Sequence, residues 1–314
     1  MRRAGICGSD IHYYSHGRVG SFVPKHPFVL GHEFAGEIVE VGAGVPAVRI
    51  GERVTVDPSM PCGHCEFCRC GRYNLCLDMR FYGSASCDPH INGGFEEFIL
   101  APAANAFAVP DALSWGEAAM TEPLSVAVHA ATRAGNLAGR SVLVTGGGTI
   151  GQLTALVARV FGARTVVLSD LVPGPRKVAL DRGVDGVLDP LSPDFAASAD
   201  MLVPSGFDVV IEAAGSAAAL GQALEVSRRG GTIVQVGTLP ASVTLPLNVV
   251  MARELTIAGS FRFANVFATS IALMSFGRID VRPLITSVFP LAEVDAAIRT
   301  AMDGKDGIKV QIEP

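Results

Sequence analysis

Apolar residues follow two regimes along this chain of 314 residues. In the first third they come in short runs, broken every few positions by Gly, Pro and charge. From Arg140 onward they alternate between continuous β-branched runs and helical spacing. The stretch Arg140–Asp170 shows the second regime best. Val142, Leu143 and Val144 predict a strand that stops at Gly146, Gly147 and Gly148. Ile150, Leu153, Leu156, Val157 and Val160 then recur at helical spacing, Gly162 ends the helix, and Thr165–Leu168 read as the next strand.

The turn of this strand–helix–strand unit carries Gly146-x-Gly148-x-x-Gly151. Glycine there allows a tight turn, close approach of a pyrophosphate to the backbone, and packing of helix on strand. The helix N-terminus adds free N–H groups and a positive dipole end. Asp170 closes the second strand 19 residues after Gly151. A carboxylate at that point accepts hydrogen bonds from ribose hydroxyls and repels a 2′-phosphate, which favours NAD over NADP. Arg176 and Lys177 lie close behind and soften that preference. The alternative is a glycine-rich turn in some other α/β domain.

The alternation continues downstream. Asp185–Leu188, Phe207–Ala213, Gly231–Gly237 and Leu255–Ser260 read as strands, and Ser216–Arg228 as a helix. Such alternation predicts a doubly wound parallel sheet with helices on both faces and ligands at the carboxyl ends of its strands. Gly215, Val236, Gly237 and Ser260–Arg262 then fall near the crevice. Upstream, Ile38, Val39 and Val41, Gly51–Val56, and Phe98, Ile99 and Leu100 read as strands of a mostly-β domain. Ser114–Ala131 is helical in composition, with Pro123 suited to a helix start and Glu122 just outside it. The expected domains are 1–123, a β-rich domain; 124–261, the dinucleotide domain; and 262–314, a tail. That tail includes helix Leu291–Met302 and returns to the first domain.

Composition narrows the function classes. At 49% hydrophobic and 18% charged, the chain is a well-buried globular protein. A net charge of −5 with no basic stretch excludes a nucleic-acid partner. No apolar run approaches a membrane span, and Met1–Asp10 lacks the apolar core of a signal peptide, so the cytoplasm is expected. Seven cysteines are present, five of them between Cys62 and Cys76, and in a cytosolic chain such crowding points to metal rather than disulfides.

Cys62, Cys65, Cys68 and Cys76 follow the pattern C-x2-C-x2-C-x7-C. Four thiolates on one short loop can surround zinc tetrahedrally in a closed, structural site. Cys70 breaks the spacing and reads as a spare thiol. A redox-active loop is the competing reading. A second group, Cys7, His32 and Glu33, offers thiolate, imidazole and carboxylate, all of them zinc ligands. Taken alone, a His in Gly-His-Glu reads equally as a satisfied core residue.

In order along the chain stand Cys7-Gly-Ser-Asp10, Gly31-His-Glu33, the four-cysteine loop, Glu122-Pro-Leu124 and the glycine turn. This succession resembles the zinc-dependent medium-chain dehydrogenases, in their polyol branch. The resemblance implies a GroES-like catalytic domain beside the Rossmann domain, with two zinc ions per chain and NAD, or NADP, as cofactors. It implies Cys7, His32 and Glu33 as catalytic zinc ligands, with Glu122 as fourth ligand or holder of the zinc-bound water. Cys62, Cys65, Cys68 and Cys76 match the structural zinc ligands. Ser9 and His12 are expected to relay the substrate proton, and Tyr13 and Arg262 to contact substrate, Arg262 through a guanidinium fork suited to a carboxylate. Gly146, Gly148, Ile150, Gly151, Asp170, Lys177, Val236 and Gly237 are expected to hold the dinucleotide.

The segments Ile11–Tyr14, His16–Gly20, Met79–Ala85, Gly93–Phe95 and Gly259–Phe263 are most similar to dehydrogenases of a sugar acid, L-idonate. The alternatives are oxidation of sorbitol or another polyol, or a cofactor-binding protein without catalysis. A small-molecule substrate and a homodimer or homotetramer are implied. The chain departs from the family in two places. Thr149 replaces a usual proline, and the opening pair of strands is short: almost nothing precedes Cys7. Either the start is misplaced or the first domain is truncated; missing strands would leave a sheet edge unpaired and Cys7 less firmly fixed.

Overall fold

The chain divides into two units, Met1–Ser125 with Ala264–Pro314, and Val126–Phe263, in a computed structural model that describes residues 1–304 and 307–314. The first unit opens with strand β1 (Arg3–Gly5) and helix α1 (Gly8–His16), which Gly17 ends in the left-handed conformation at φ 67°. Strands β2 (Glu33–Glu37) and β3 (Arg53–Val56) follow and pair antiparallel. β4 (Ser59–Met60) pairs with β5 (Arg80–Phe81), and the loop between them holds the clustered cysteines and the one-turn helix α2 (Glu66–Arg69). β6 (Ala106–Ala108) leads to α3 (Trp115–Ala119) and α4 (Thr121–Arg133). The expected single helix Ser114–Ala131 is thus two, parted at Met120. Ser114 caps α3 in a reciprocal box with Glu117. Glu122 and Pro123 both lie inside the first turn of α4, not at its threshold. Proline is tolerated there because first-turn N–H groups have no intrahelical partner.

The second unit is the predicted α/β alternation. Its strands are β7 (Ser141–Thr145), β8 (Thr165–Ser169), β9 (Gly186–Leu188), β10 (Phe207–Glu212), β11 (Ser227–Gln235) and β12 (Thr256–Gly259). Helices α5 (Thr149–Val160), α6 (Pro173–Asp181), α7 (Phe195–Leu202), α8 (Ala217–Val226) and α9 (Leu247–Ala252) lie between them. The strands run parallel in the order β12-β11-β10-β7-β8-β9. Leu143, Val210 and Ile233 on the three central strands are fully buried, which is why these strands read as continuous apolar runs. β11 begins at Ser227, four residues before the expected start. Its pairing with β10 slips between Phe207 and Val209, and such an irregularity carries the extra residues.

After Phe263 the chain rejoins the first unit as α10 (Phe267–Ser275), β13 (Ile285–Pro290), α11 (Val294–Asp303) and β14 (Lys309–Glu313). The first unit's sheet, among the described residues, runs β13-β14-β1-β2-β3-β6. β14 lies antiparallel to β1, and Val310 and Ile312 pack with Ala4, Ile6 and Phe34 in the core. β1 is therefore an interior strand, bonded on both sides. The segment leading to Cys7 is fixed by the sheet, contrary to the expectation of a loose one. Two other expectations are corrected. Ile38–Val41 lies beyond the end of β2 and lines an apolar groove with Phe98–Leu100. Residues 98–100 are not a strand, and Phe98 and Leu100 are exposed. Alternation describes the faces of a strand, but a strand also needs a neighbour to bond its edges. No helix among the described residues is long and apolar enough to cross a membrane.

The glycine turn explains its own residues. A Cβ on Gly151 would sit 1.7 Å from the Gly146 carbonyl oxygen, whereas one on Gly148 would meet nothing within 4 Å. Gly151 therefore serves packing, whereas Gly148 borders open space. The Gly151→Ala variant is expected to lose about 1–3 kcal/mol of stability and to weaken NADH binding at least tenfold in a fluorescence titration.

Candidate active site

Cys7 sits at the N-cap of α1, in the turn that leaves β1. His32 and Glu33 stand at the start of β2, which pairs Gly5 with Glu33. The β1–β2 pairing thus brings together residues far apart in sequence. One ligand atom each of Cys7, His32 and Glu33 lies within 4.8 Å of the others. His32 and Glu33 are buried, and Cys7 is half-buried.

Asp10, which the sequence reading quoted but gave no role, locks this arrangement. It is fully buried. One carboxylate oxygen accepts the Cys7 N–H at 2.9 Å, and the other accepts the Gly31 N–H at 3.1 Å. The segments carrying Cys7 and His32 are therefore tied to one carboxylate. The signal was present in the sequence, since an acid three residues into a helix is a capping position.

The site concentrates acidic groups away from water. Burial, then the Glu33 and Asp10 charges, pushes the Cys7 thiol up to about 12. Burial raises Glu122 well above the carboxylate range; Glu33 and Cys7 add to the rise, while His32 opposes it. Burial likewise raises Asp10. His32 Nδ1 is buried without a hydrogen-bond partner, 3.9 Å from Asp10 Oδ1. These residues fit a divalent cation. It would favour the thiolate and carboxylates that burial disfavours, and its affinity would depend on their losing protons. Glu122 stands close enough to feel Cys7 and Glu33, but it is not within the mutually close ligand set.

The remaining predicted residues of the first unit divide. Ser9, in the first turn of α1, hydrogen-bonds the Cys7 thiol. His12 is exposed one turn on, its Nδ1 3.4 Å from that of His16. Tyr13 is placed on the inner side of α1. It is buried, packs edge-on against Phe28, and its hydroxyl oxygen accepts the Ala85 N–H at 2.9 Å. Its side chain anchors α1 to the 80–86 segment. Sequence inspection also missed Lys309, whose Nζ lies 2.6 and 2.9 Å from the two Glu33 carboxylate oxygens.

Cys62, Cys65, Cys68 and Cys76 converge in the same way, their sulfurs all within 4.8 Å of one another. The Cys62 N–H donates to Cys76 Sγ at 3.2 Å, the Cys65 N–H to Cys62 Sγ at 3.4 Å, and the Asp78 N–H to Cys76 Sγ at 3.4 Å. Backbone donors aimed at sulfur suit thiolates. The Leu77 and Cys68 N–H groups bring Cys65 down to about 6, whereas desolvation and then the bond with Cys65 push Cys68 up to about 12. A cation is what lets all four ionise together. Cys70 stays exposed, outside this set.

In the second unit Gly146, Gly148, Ile150 and Gly151 form the turn between β7 and α5 and the first turn of that helix. Gly148 is the N-cap and supplies no side-chain cap. Asp170 follows β8, where one carboxylate oxygen accepts the Gly147 N–H at 2.6 Å and the other the Val172 N–H at 2.7 Å. These bonds hold the carboxylate beside the turn, with lone pairs left for ribose hydroxyls. The Lys177 ammonium is exposed and paired with Asp181 at 2.8 Å. Arg176 is the neighbouring cation, bonded to the Asp170 carbonyl and to Asp189.

Val236 and Gly237 leave the end of β11, and both N–H groups donate to the Glu212 carbonyl. The Glu212 side chain, fully buried at the end of β10, accepts the Ser216 N–H at 3.4 Å and gathers the turn around Gly215. Sequence reading took Glu212 for the last residue of a strand and missed this. Arg262 lies at the end of the second unit with φ 51°, a left-handed backbone uncommon for arginine, and its guanidinium lies 5.0 Å from the centre of the Phe261 ring.

A metal-ligating GroES-like unit joined to a dinucleotide-binding sheet defines a zinc-dependent dehydrogenase, and the comparisons agree. The alcohol dehydrogenase GroES-like domain matches residues 1–111, and the zinc-binding dehydrogenase family matches residues 149–275. Sorbitol dehydrogenase of Bacillus subtilis (strain 168) is 38% identical over 314 residues, 99% of this chain and 88% of that protein. The crystal structure of L-idonate 5-dehydrogenase from Escherichia coli K-12 superposes with a TM-score of 0.94 at 36% identity, covering 100% of this chain and 89% of that one. A candidate zinc-binding dehydrogenase from Sinorhizobium meliloti 1021, solved with NADP, gives 0.89 at 35% identity, covering 100% and 90%. The chain belongs to the zinc-dependent medium-chain dehydrogenases, among their polyol and sugar-acid members.

Asp10→Asn leaves one of the two backbone N–H groups facing an amide NH2. Zinc affinity at the Cys7 site is expected to fall about 10–100-fold, with the four-cysteine zinc retained. Competition with a chromophoric chelator measures both.

Proposed function

We propose that this protein oxidises a secondary hydroxyl of a sugar acid with NAD, L-idonate to 5-ketogluconate being the favoured reaction. The meeting of Cys7, His32 and Glu33 in one site supports the reading more than any other observation. When bound, zinc supplies Lewis acidity that lets a substrate hydroxyl give up its proton near neutral pH, and NAD supplies the hydride acceptor.

Cys7, His32 and Glu33 would hold the metal, with Glu122 behind them to hold a water or take the fourth position. Ser9, already bonded to the Cys7 thiol, accepts the hydroxyl proton as it passes its own onward. His12 lies three residues along the same helix, exposed, so it can hand that proton to solvent. The turn from Gly146 to Gly151 would hold the pyrophosphate and Asp170 the ribose. Asp170 favours NAD because its carboxylate is fixed beside the turn, while Arg176 is engaged by Asp189.

Arg262 supports a sugar acid over a neutral polyol. Its left-handed backbone is a strain that persists where the surroundings impose it, as at ligand contacts. A guanidinium is also the natural partner for a carboxylate. The second reading is a sorbitol-type dehydrogenase, favoured by the 38% identity with the Bacillus subtilis enzyme.

Steady-state rates on L-idonate, sorbitol and xylitol separate the two. The highest kcat/KM is expected on L-idonate, and a clear preference for sorbitol overturns that choice. Arg262→Ala is expected to raise KM for idonate about tenfold, the scale of one lost charge-assisted pair, with zinc content unchanged.

A further inference from the structure

Glu33 has two claimants. One of its oxygens lies within 4.8 Å of the ligand atoms of Cys7 and His32, and both oxygens also face an ammonium. Lys309 reaches it from β14, the last strand of the chain, which pairs with β1. Its Nζ lies 2.6 Å from Glu33 Oε2 and 2.9 Å from Oε1, and it donates to the Ile6 carbonyl at 2.9 Å. Both side chains are 2% exposed. Gly5 leaves room for the pair, since a Cβ there would lie 2.1 Å from Glu33 Oε2.

A buried ammonium with its donors satisfied cannot drift into solvent, and it draws on the carboxylate charge that a metal would also use. Two cations sharing one carboxylate repel each other, and burial leaves that repulsion poorly screened. We propose that Lys309 is a positioning residue that holds Glu33 in place and limits the charge it gives to the zinc. The bound metal thereby stays more electrophilic and less tightly held than this ligand set alone would make it. The inference rests on Cys7, His32 and Glu33 being the metal site.

Lys309→Met removes the competing charge and keeps the bulk of the side chain. The zinc of the Cys7 site is expected to bind at least tenfold more tightly in chelator competition and to leave more slowly into EDTA. The pH at half-maximal kcat is expected to move upward, because a metal given the whole carboxylate acidifies the substrate hydroxyl less. Lys309→Arg keeps the charge, so its zinc affinity is expected to stay nearer wild type than that of Lys309→Met. Zinc that binds equally or more weakly in Lys309→Met overturns the proposal. Retention of the four-cysteine zinc reports that the variant has folded. If Lys309→Met does not fold, Lys309→Gln takes the same measurement with the same two outcomes. Wild-type protein that binds one zinc rather than two refutes the metal site itself. Two zinc ions in wild type without tightening in the variant refute only the role of Lys309.

Discussion

The first unit is built around a concentration of acidic groups largely withdrawn from water. Cys7, Asp10, Glu33 and Glu122 share one interior with a single ammonium, Lys309, and the imidazole of His32. Burying ionisable groups of one sign is costly unless a counter-charge or a proton accompanies them. Much of the local architecture provides what that concentration needs. β1 and β2 are zipped together so that Cys7 and His32 meet, Asp10 spends its carboxylate on the backbone of both segments, and β14 delivers a cation from the far end of the sequence. A divalent cation would complete that balance, and zinc is the family's metal.

The dinucleotide half rests on a different constraint, close approach. Gly151 is packed against the Gly146 carbonyl and Gly148 borders open space, so the turn is dense at one glycine and roomy at the other. Asp170 and Glu212 keep that rim in shape, one by holding the Gly147 N–H and the other by gathering the backbone around Gly215 and Gly237. Both acids work through main-chain donors, which fixes loop geometry whatever the neighbouring side chains are.

What could be read from sequence was local. The glycine turn and the four-cysteine loop fold within a few tens of residues, so spacing alone describes them. The parallel sheet was legible because its central strands are buried on both faces and show as uninterrupted apolar runs. The Cys7, His32 and Glu33 group became legible only through its resemblance to a family, since no spacing rule joins an N-cap to a distant strand start. Lys309 was invisible for the same reason. In Lys309-Val-Gln-Ile312 the polar residues alternate as on any half-exposed strand, yet Lys309 and Gln311 are both buried. Phe98–Leu100 misled in the opposite direction, because apolar alternation does not reveal whether a neighbouring strand lies alongside. Tyr13 shows how an aromatic with a hydroxyl can serve a pocket and a core equally well.

The proposed chemistry depends on Cys7, His32 and Glu33 holding a zinc ion apart from the four-cysteine zinc. Zinc K-edge X-ray absorption of the purified full chain tests it most directly. The account predicts a mixed first shell, with nitrogen and oxygen at about 2.0 Å beside sulfur at about 2.3 Å. A shell of sulfur alone would contradict it.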